Sequence, residues 1–262
     1  MNKVAASLGH WLARVISQPR HVHSSVPPES MAVLRATLQP GDVLLVDGHS
    51  KAASAIKYLT QSSWSHAALY IGPQLGADES ADLEFVEADV VEGVRRVGFA
   101  AYAGLQTRIC RPVGLTESER RALAAYTIAR IGERYDLRHV FDLARYLIPH
   151  PPVPAIFRRR MIALGSGDPT RAICSTLVAQ AFQSIRYPIL PEIKLTHGDP
   201  ACAGCISETR HVRHYSLFTP RDFDLSPFFE IIKPELRQDF DFHRLTLVGW
   251  PSDDDEAAAA ST

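Results

Sequence analysis

The sequence predicts an α+β domain. Strand signals crowd the first half of the chain and helix signals the second, and no internal repeat divides it into an array. With 46% of its 262 residues hydrophobic and 22% charged, the chain can bury a sizeable core, which excludes wholesale disorder. Its 28 lysines and arginines against 29 aspartates and glutamates leave a formal charge of −1, so no global basic field recommends nucleic acid as the partner.

Residues 1–18 read as an amphipathic helix. Val4, Leu8, Trp11, Leu12, Val15 and Ile16 recur at helical spacing, with Lys3 and Arg14 off that stripe. His10 and Arg14 break the apolar run and no small-residue cleavage site precedes Pro19, so it does not read as a secretory signal. Nor does any stretch reach the about 18 apolar residues of a spanning helix. Two homes for the stripe stay open, the chain's own domain or a membrane surface. The expected location is cytoplasmic, peripheral to the inner membrane in the second case. Residues 19–37, rich in Pro, Ser and His, read as a linker, and 250–262, with four consecutive acids and an alanine tract, as a solvated tail. The domain itself is expected over 38–249.

Within it, the Pro40-Gly41 turn opens a short apolar strand over 42–46, and a helix follows over 51–60. A second strand over 66–71 has His66, Ala68 and Tyr70 on one face by its period of two. A third, over 83–88, puts Phe85 and Glu87 together, and 93–97 and 107–111 add further strands to a mostly antiparallel sheet. Thr116-Glu117-Ser118-Glu119 is a capping box that opens a helix reaching about residue 131 and stopped by Gly132. Helices are expected over 137–148, ended by a proline cluster, over 155–164, and over 174–184.

Four cysteines, Cys110, Cys174, Cys202 and Cys205, are too few for a disulfide-stapled scaffold of this length. Cys174 falls at the start of the last helix, where unpaired backbone N–H groups favour a thiolate and could receive an oxyanion. A thiol nucleophile needs an imidazole to take its proton and return it to the leaving group, and His66 is the candidate. Glu87, on the neighbouring strand, suits the third role of fixing the ring and stabilising imidazolium; Glu84 and Glu92 are its rivals. The plainer alternatives are a buried hydrophobe for Cys174, a core histidine for His66 and a surface glutamate for Glu87.

These residues carry a resemblance. Leu38 to Leu44, Trp64-Ser65-His66-Ala67-Ala68-Leu69-Tyr70-Ile71-Gly72, Val86-Glu87-Ala88, Tyr135-Asp136 and Ile173-Cys174-Ser175-Thr176-Leu177-Val178 resemble, in this order, the YiiX-like cysteine hydrolases, a circularly permuted branch of the NlpC-type, papain-like superfamily. The match spans about 38–231. Unpermuted NlpC enzymes run cysteine, histidine, polar residue, whereas here His66 and Glu87 precede Cys174. The resemblance implies a circularly permuted papain-like fold, with Cys174 as nucleophile, His66 as general base and acid, Glu87 orienting it, and Tyr135, Trp64 and Ser65 lining the site. It also implies hydrolysis of amide bonds in small peptides through an acyl-thioester that needs no cofactor. The related lecithin retinol acyltransferase group suggests the alternative of a lipid acyltransferase or acyl hydrolase. From a different class, a binding module could keep the fold without turnover.

One segment departs from the pattern. A His/Cys-rich insertion at 197–214 carries His197, Cys202, Cys205, His211 and His214. Three readings stay open for it: a structural zinc ion held by Cys202, Cys205, His197 and His211, a redox pair, or unrelated surface residues.

Overall fold

The structure is a computed structural model that describes residues 30–73, 83–89, 92–133, 173–199 and 202–233. All of these but Lys233 belong to one compact unit, Met1–Ile232. The expected helices at 1–18, 137–148 and 155–164, the tail at 250–262 and Tyr135 lie outside the described residues.

Five helices and eight strands are described. In chain order they are α1 (Met31–Thr37), β1 (Val43–Asp47), α2 (Lys51–Thr60), β2 (His66–Tyr70), β3 (Phe85–Asp89), β4 (Gly93–Val97), β5 (Gln106–Pro112), α3 (Glu117–Ile128), α4 (Ile173–Ser184), β6 (Glu192–Asp199), β7 (Cys202–His211), α5 (Pro220–Asp224) and β8 (Phe229–Ile232). Six strands form one sheet in the order β4-β3-β2-β1-β5-β8, every neighbouring pair antiparallel. The architecture is α+β.

Local chemistry accounts for the junctions. Asp42 N–H closes the turn before β1 onto Gln39 O at 2.9 Å, and this turn needs a positive φ at its third residue, supplied by Gly41 at +95°. Ser50 caps α2 by accepting from Ala53 N–H. The capping box of α3 is formed as expected, with Thr116 Oγ1 accepting from Glu119 N–H and the Glu119 carboxylate accepting from Thr116 N–H.

Both faces of the sheet are buried. One carries Val43, Leu45, Ala67, Leu69, Val86, Ala88 and Cys110 against Leu123 of α3 and Leu177, Val178, Ala181 and Phe182 of α4. The other carries Leu44, Val46, Ala68, Tyr70, Phe85 and Ile109 under Leu34, Leu38, Phe99 and Tyr102. A strand covered on both sides reads as a near-continuous apolar run, as β1 does. Cover for the second face comes partly from α1, which corrects the reading of 19–37 as linker throughout. Met-Ala-Val-Leu-Arg-Ala is good helix-forming sequence, and its Leu34 is fully buried.

The insertion at 197–214 is also more regular than expected. Residues of β6 and β7 form a separate two-stranded sheet, with Glu192 opposite His211, His197 opposite Ile206 and Asp199 opposite Cys202.

Candidate active site

His66 is the first residue of β2, opposite Val46 of β1. The antiparallel run of β2 and β3 sets Leu69 opposite Val86 and Tyr70 opposite Phe85, so β3 carries Glu87 back toward the start of β2. A sequence separation of 21 thereby becomes a contact. His66 Nε2 lies 2.6 Å from Glu87 Oε2, with the two side chains 25% and 5% exposed. The rival glutamates are engaged elsewhere. Glu84 accepts from the Tyr70 hydroxyl and pairs with Arg35, while Glu92 pairs with Arg95 Nη1.

Glu87 is bonded at both oxygens. Arg95, its cross-strand partner on β4, donates from Nε at 3.0 Å and from Nη2 at 2.8 Å to Oε1. Oε2 receives the Tyr102 hydroxyl at 2.8 Å besides the His66 ring. Burial pushes the Glu87 carboxyl up, but the charge and hydrogen bond of His66 and the donors on Arg95 and Tyr102 outweigh it and hold the group at about 2.

Cys174 is the second residue of α4, in the turn where backbone N–H groups have no intrahelical acceptor. The helix packs on β2 and β3 through Leu177, Val178, Ala181 and Phe182. Ser175 anchors its first turn by donating to Phe218 O at 2.8 Å. The Cys174 thiol interacts electrostatically with the His66 ring. With Nε2 committed to Glu87, Nδ1 is the ring nitrogen left to act as a base. Burial pushes the His66 ring toward its neutral form, yet the negative charges of Cys174 and Glu87 and their hydrogen bonds overcome this and raise it well above the usual histidine range. Glu87 thus holds one nitrogen of the His66 ring, and Cys174 acts on the same ring electrostatically.

The residues flanking His66 do structural work. Ser65 Oγ accepts from Gly48 N–H at 2.9 Å and donates to Val46 O at 3.3 Å, tying the entry of β2 to the exit of β1. The Trp64 indole donates to Asp224 Oδ2 at 3.1 Å, and Arg108 covers its ring at 4.9 Å while pairing with the same carboxylate. Trp64 is buried, pinned between β5 and α5. Tyr135 lies outside the described residues.

Cys202 and Cys205 both lie in β7, three positions apart. His211 is exposed at the end of β7, and His214 Nδ1 accepts from Ser216 N–H in capping the helical turn Tyr215–Leu217. Among the described residues no group of three or more His, Cys, Asp or Glu could hold a metal ion, and no helix is long and apolar enough to cross a membrane.

Sequence reasoning missed Arg95 and Tyr102. A signal existed for the first, since Glu87 and Arg95 are equidistant from the turn joining β3 to β4 and a hairpin register pairs such positions. For Tyr102, in a short helical turn after β4, there was none.

The chain has an α+β fold in which a histidine is bonded to a buried glutamate and the helix that carries Cys174 packs on the strands of both. No family model matches the chain, and no curated protein matches it. One solved structure similar to it is that of the metalloprotein YiiX from Escherichia coli O157:H7, DUF1105, at 15% sequence identity and a TM-score of 0.43, covering 74% of this chain and 96% of that one.

Proposed function

We propose that this chain is a cysteine-dependent hydrolase of amide or ester bonds on a permuted papain-like fold. One observation carries the proposal: the His66 ring is bonded through Nε2 to the buried Glu87 carboxylate and interacts electrostatically with Cys174 at the start of α4. The order of these residues along the chain and their resemblance to the permuted branch of the papain-like superfamily support it.

In the proposed reaction His66 takes the thiol proton of Cys174, and the thiolate attacks the carbonyl carbon of the substrate. The oxyanion that forms is met by the backbone N–H of Cys174 at the start of α4. Collapse of this intermediate breaks the bond to the leaving group, which departs with the proton held by His66, and an acyl-thioester remains. Water, deprotonated by the same ring, then releases the acid and the free thiol. A lipid hydroxyl or amine in place of that water would make the same intermediate an acyl-transfer step. Throughout, Glu87 keeps the ring oriented and its positive form stabilised.

Alkylation tests the proposal without a substrate. Cys110 is the internal control, fully buried in β5, where burial pushes its thiol far up. With iodoacetamide near pH 7, Cys174 is expected to react at least about tenfold faster than Cys110, and His66→Ala to remove about tenfold or more of that rate, since each pKa unit is a factor of ten in thiolate. Peptide mapping by mass spectrometry reads both sites. Equal rates, or a Cys174 rate indifferent to His66→Ala, would overturn the hydrolase reading.

A further inference from the structure

We infer that Arg95 and Tyr102 are positioning residues that act through Glu87, dividing its two oxygens so that one always faces the His66 ring. The inference rests on the hydrolase reading and concerns the same site. Its basis is the partition of donors. The Arg95 fork takes Oε1 with two bonds, at 3.0 and 2.8 Å, and so fixes the plane of the carboxylate. Oε2 is left to His66 at 2.6 Å and the Tyr102 hydroxyl at 2.8 Å. Rotation of the carboxylate would break several of these bonds at once. Tyr102 is itself fixed, 2% exposed, its ring centroid 5.1 Å from that of Phe85 in an edge-on contact.

Arg95 is held in turn. Its Nη1 donates to Glu92 at 2.7 Å and its Nη2 lies 3.8 Å from Asp89, so two further acids steady the guanidinium on the solvent side. The charged and titratable groups converging on Glu87 are therefore His66 from β2, Arg95 from β4 and Tyr102 from the turn after it. Cys174 acts on the imidazole electrostatically, and Asp89 and Glu92 pair with Arg95. The opposing pull of burial and of these donors leaves the carboxylate ionised through the acid range, and removing a donor favours its protonated form. A carboxylate no longer held toward Nε2 stabilises the imidazolium less, and Cys174 alkylation at acid pH depends on that imidazolium.

The experiment measures the rate of Cys174 alkylation by iodoacetamide from about pH 4.5 to 8.5 in the full chain, for wild type, Arg95→Gln, Arg95→Lys, Tyr102→Phe and His66→Ala, with folding checked by thermal unfolding. In Arg95→Gln and Tyr102→Phe the acid limb is expected to move up by about one pH unit, which is about tenfold in rate on that limb and a larger loss at pH 5 than at pH 8. Arg95→Lys, which keeps the charge and loses the fork, should lie between. A merely structural role would lower the whole curve without displacing it. Tyr102→Phe removes one oxygen and keeps the ring packing, so it carries the test if Arg95→Gln does not fold. Variant profiles that overlay wild type, while His66→Ala still abolishes the wild-type acid plateau, would overturn the positioning role alone. A wild-type profile without a plateau and indifferent to His66→Ala would instead overturn the hydrolase reading, and the positioning role with it.

Discussion

Replacing Glu87 with Gln is expected to lower hydrolysis of an N-acyl p-nitroanilide probe by on the order of 10³–10⁴-fold, the size of effect that exchanging a triad carboxylate for an amide carries. Sequence alone suggests that this variant would fold unperturbed, because an amide can still hold the ring. The four donors around the side chain change that expectation. An amide offers one acceptor oxygen and brings two N–H groups, so it turns N–H groups toward either the Arg95 fork or the His66 and Tyr102 pair. A buried donor left without its acceptor costs about 1–3 kcal/mol. The loss also depends on pH. Because Glu87 is held at about 2, below its ordinary 4.5, its contribution to stability is present above the ordinary value and is lost as pH falls toward 2. Urea unfolding should therefore separate wild type from Glu87→Gln at pH 7 and bring them together near pH 2. An unchanged rate and midpoint would move the orienting role to another residue.

Arg111→Met is expected to destabilise the fold by about 3–5 kcal/mol near pH 7, the cost of leaving one member of a buried ion pair uncompensated. Asp42 is fully buried, and Arg111 meets both of its oxygens, Nε to Oδ1 at 2.9 Å and Nη2 to Oδ2 at 2.6 Å. The same Arg111 nitrogen donates to Thr37 O, and Gln39 N–H donates to Asp42 Oδ2. The pair therefore ties α1, the turn before β1 and β5 together. Burial already pushes the Asp42 carboxyl above its usual range, with Arg111 opposing it. Without Arg111 the carboxyl rises further, and an acid whose folded value is raised gives stability at low pH that is lost as pH climbs through that value. Part of the loss should return at pH 5, where Glu87 is still fully ionised. The double variant Asp42→Asn/Arg111→Met should be less impaired than Arg111→Met alone. Equal urea midpoints for wild type and Arg111→Met would show the pair to be neutral.

Where local signals are strong, the elements were legible in the sequence. The Pro40-Gly41 turn announces β1, and the capping box announces α3. His66 and Glu87 were legible as partners too, each being a chemistry-bearing residue on a well-marked strand, and the two are bonded. What was not legible depends on partners distant along the chain. Helix α1 starts without a side-chain cap, since Ser30 makes no capping bond, and its one fully buried residue, Leu34, finds its core only in the folded sheet. The ribbon of β6 and β7 lies apart from the main sheet, so no apolar alternation toward a core marks it. Arg95 and Tyr102 look like surface and core residues until the hairpin of β3 and β4 folds.

The order of the proposed reacting groups along the chain also sets the order in which they come into being. His66, Glu87, Arg95 and Tyr102 all precede the end of β5, and the five strands β1 to β5 can pair among themselves before the rest of the chain is made. Cys174 follows His66 by more than a hundred residues. At about 5–20 residues per second, the ribosome finishes His66 and Glu87 some 5–20 s before it delivers Cys174. Under the proposed function a nascent chain would hold a prepared base and no nucleophile, and activity would await the docking of α4 on β2 and β3.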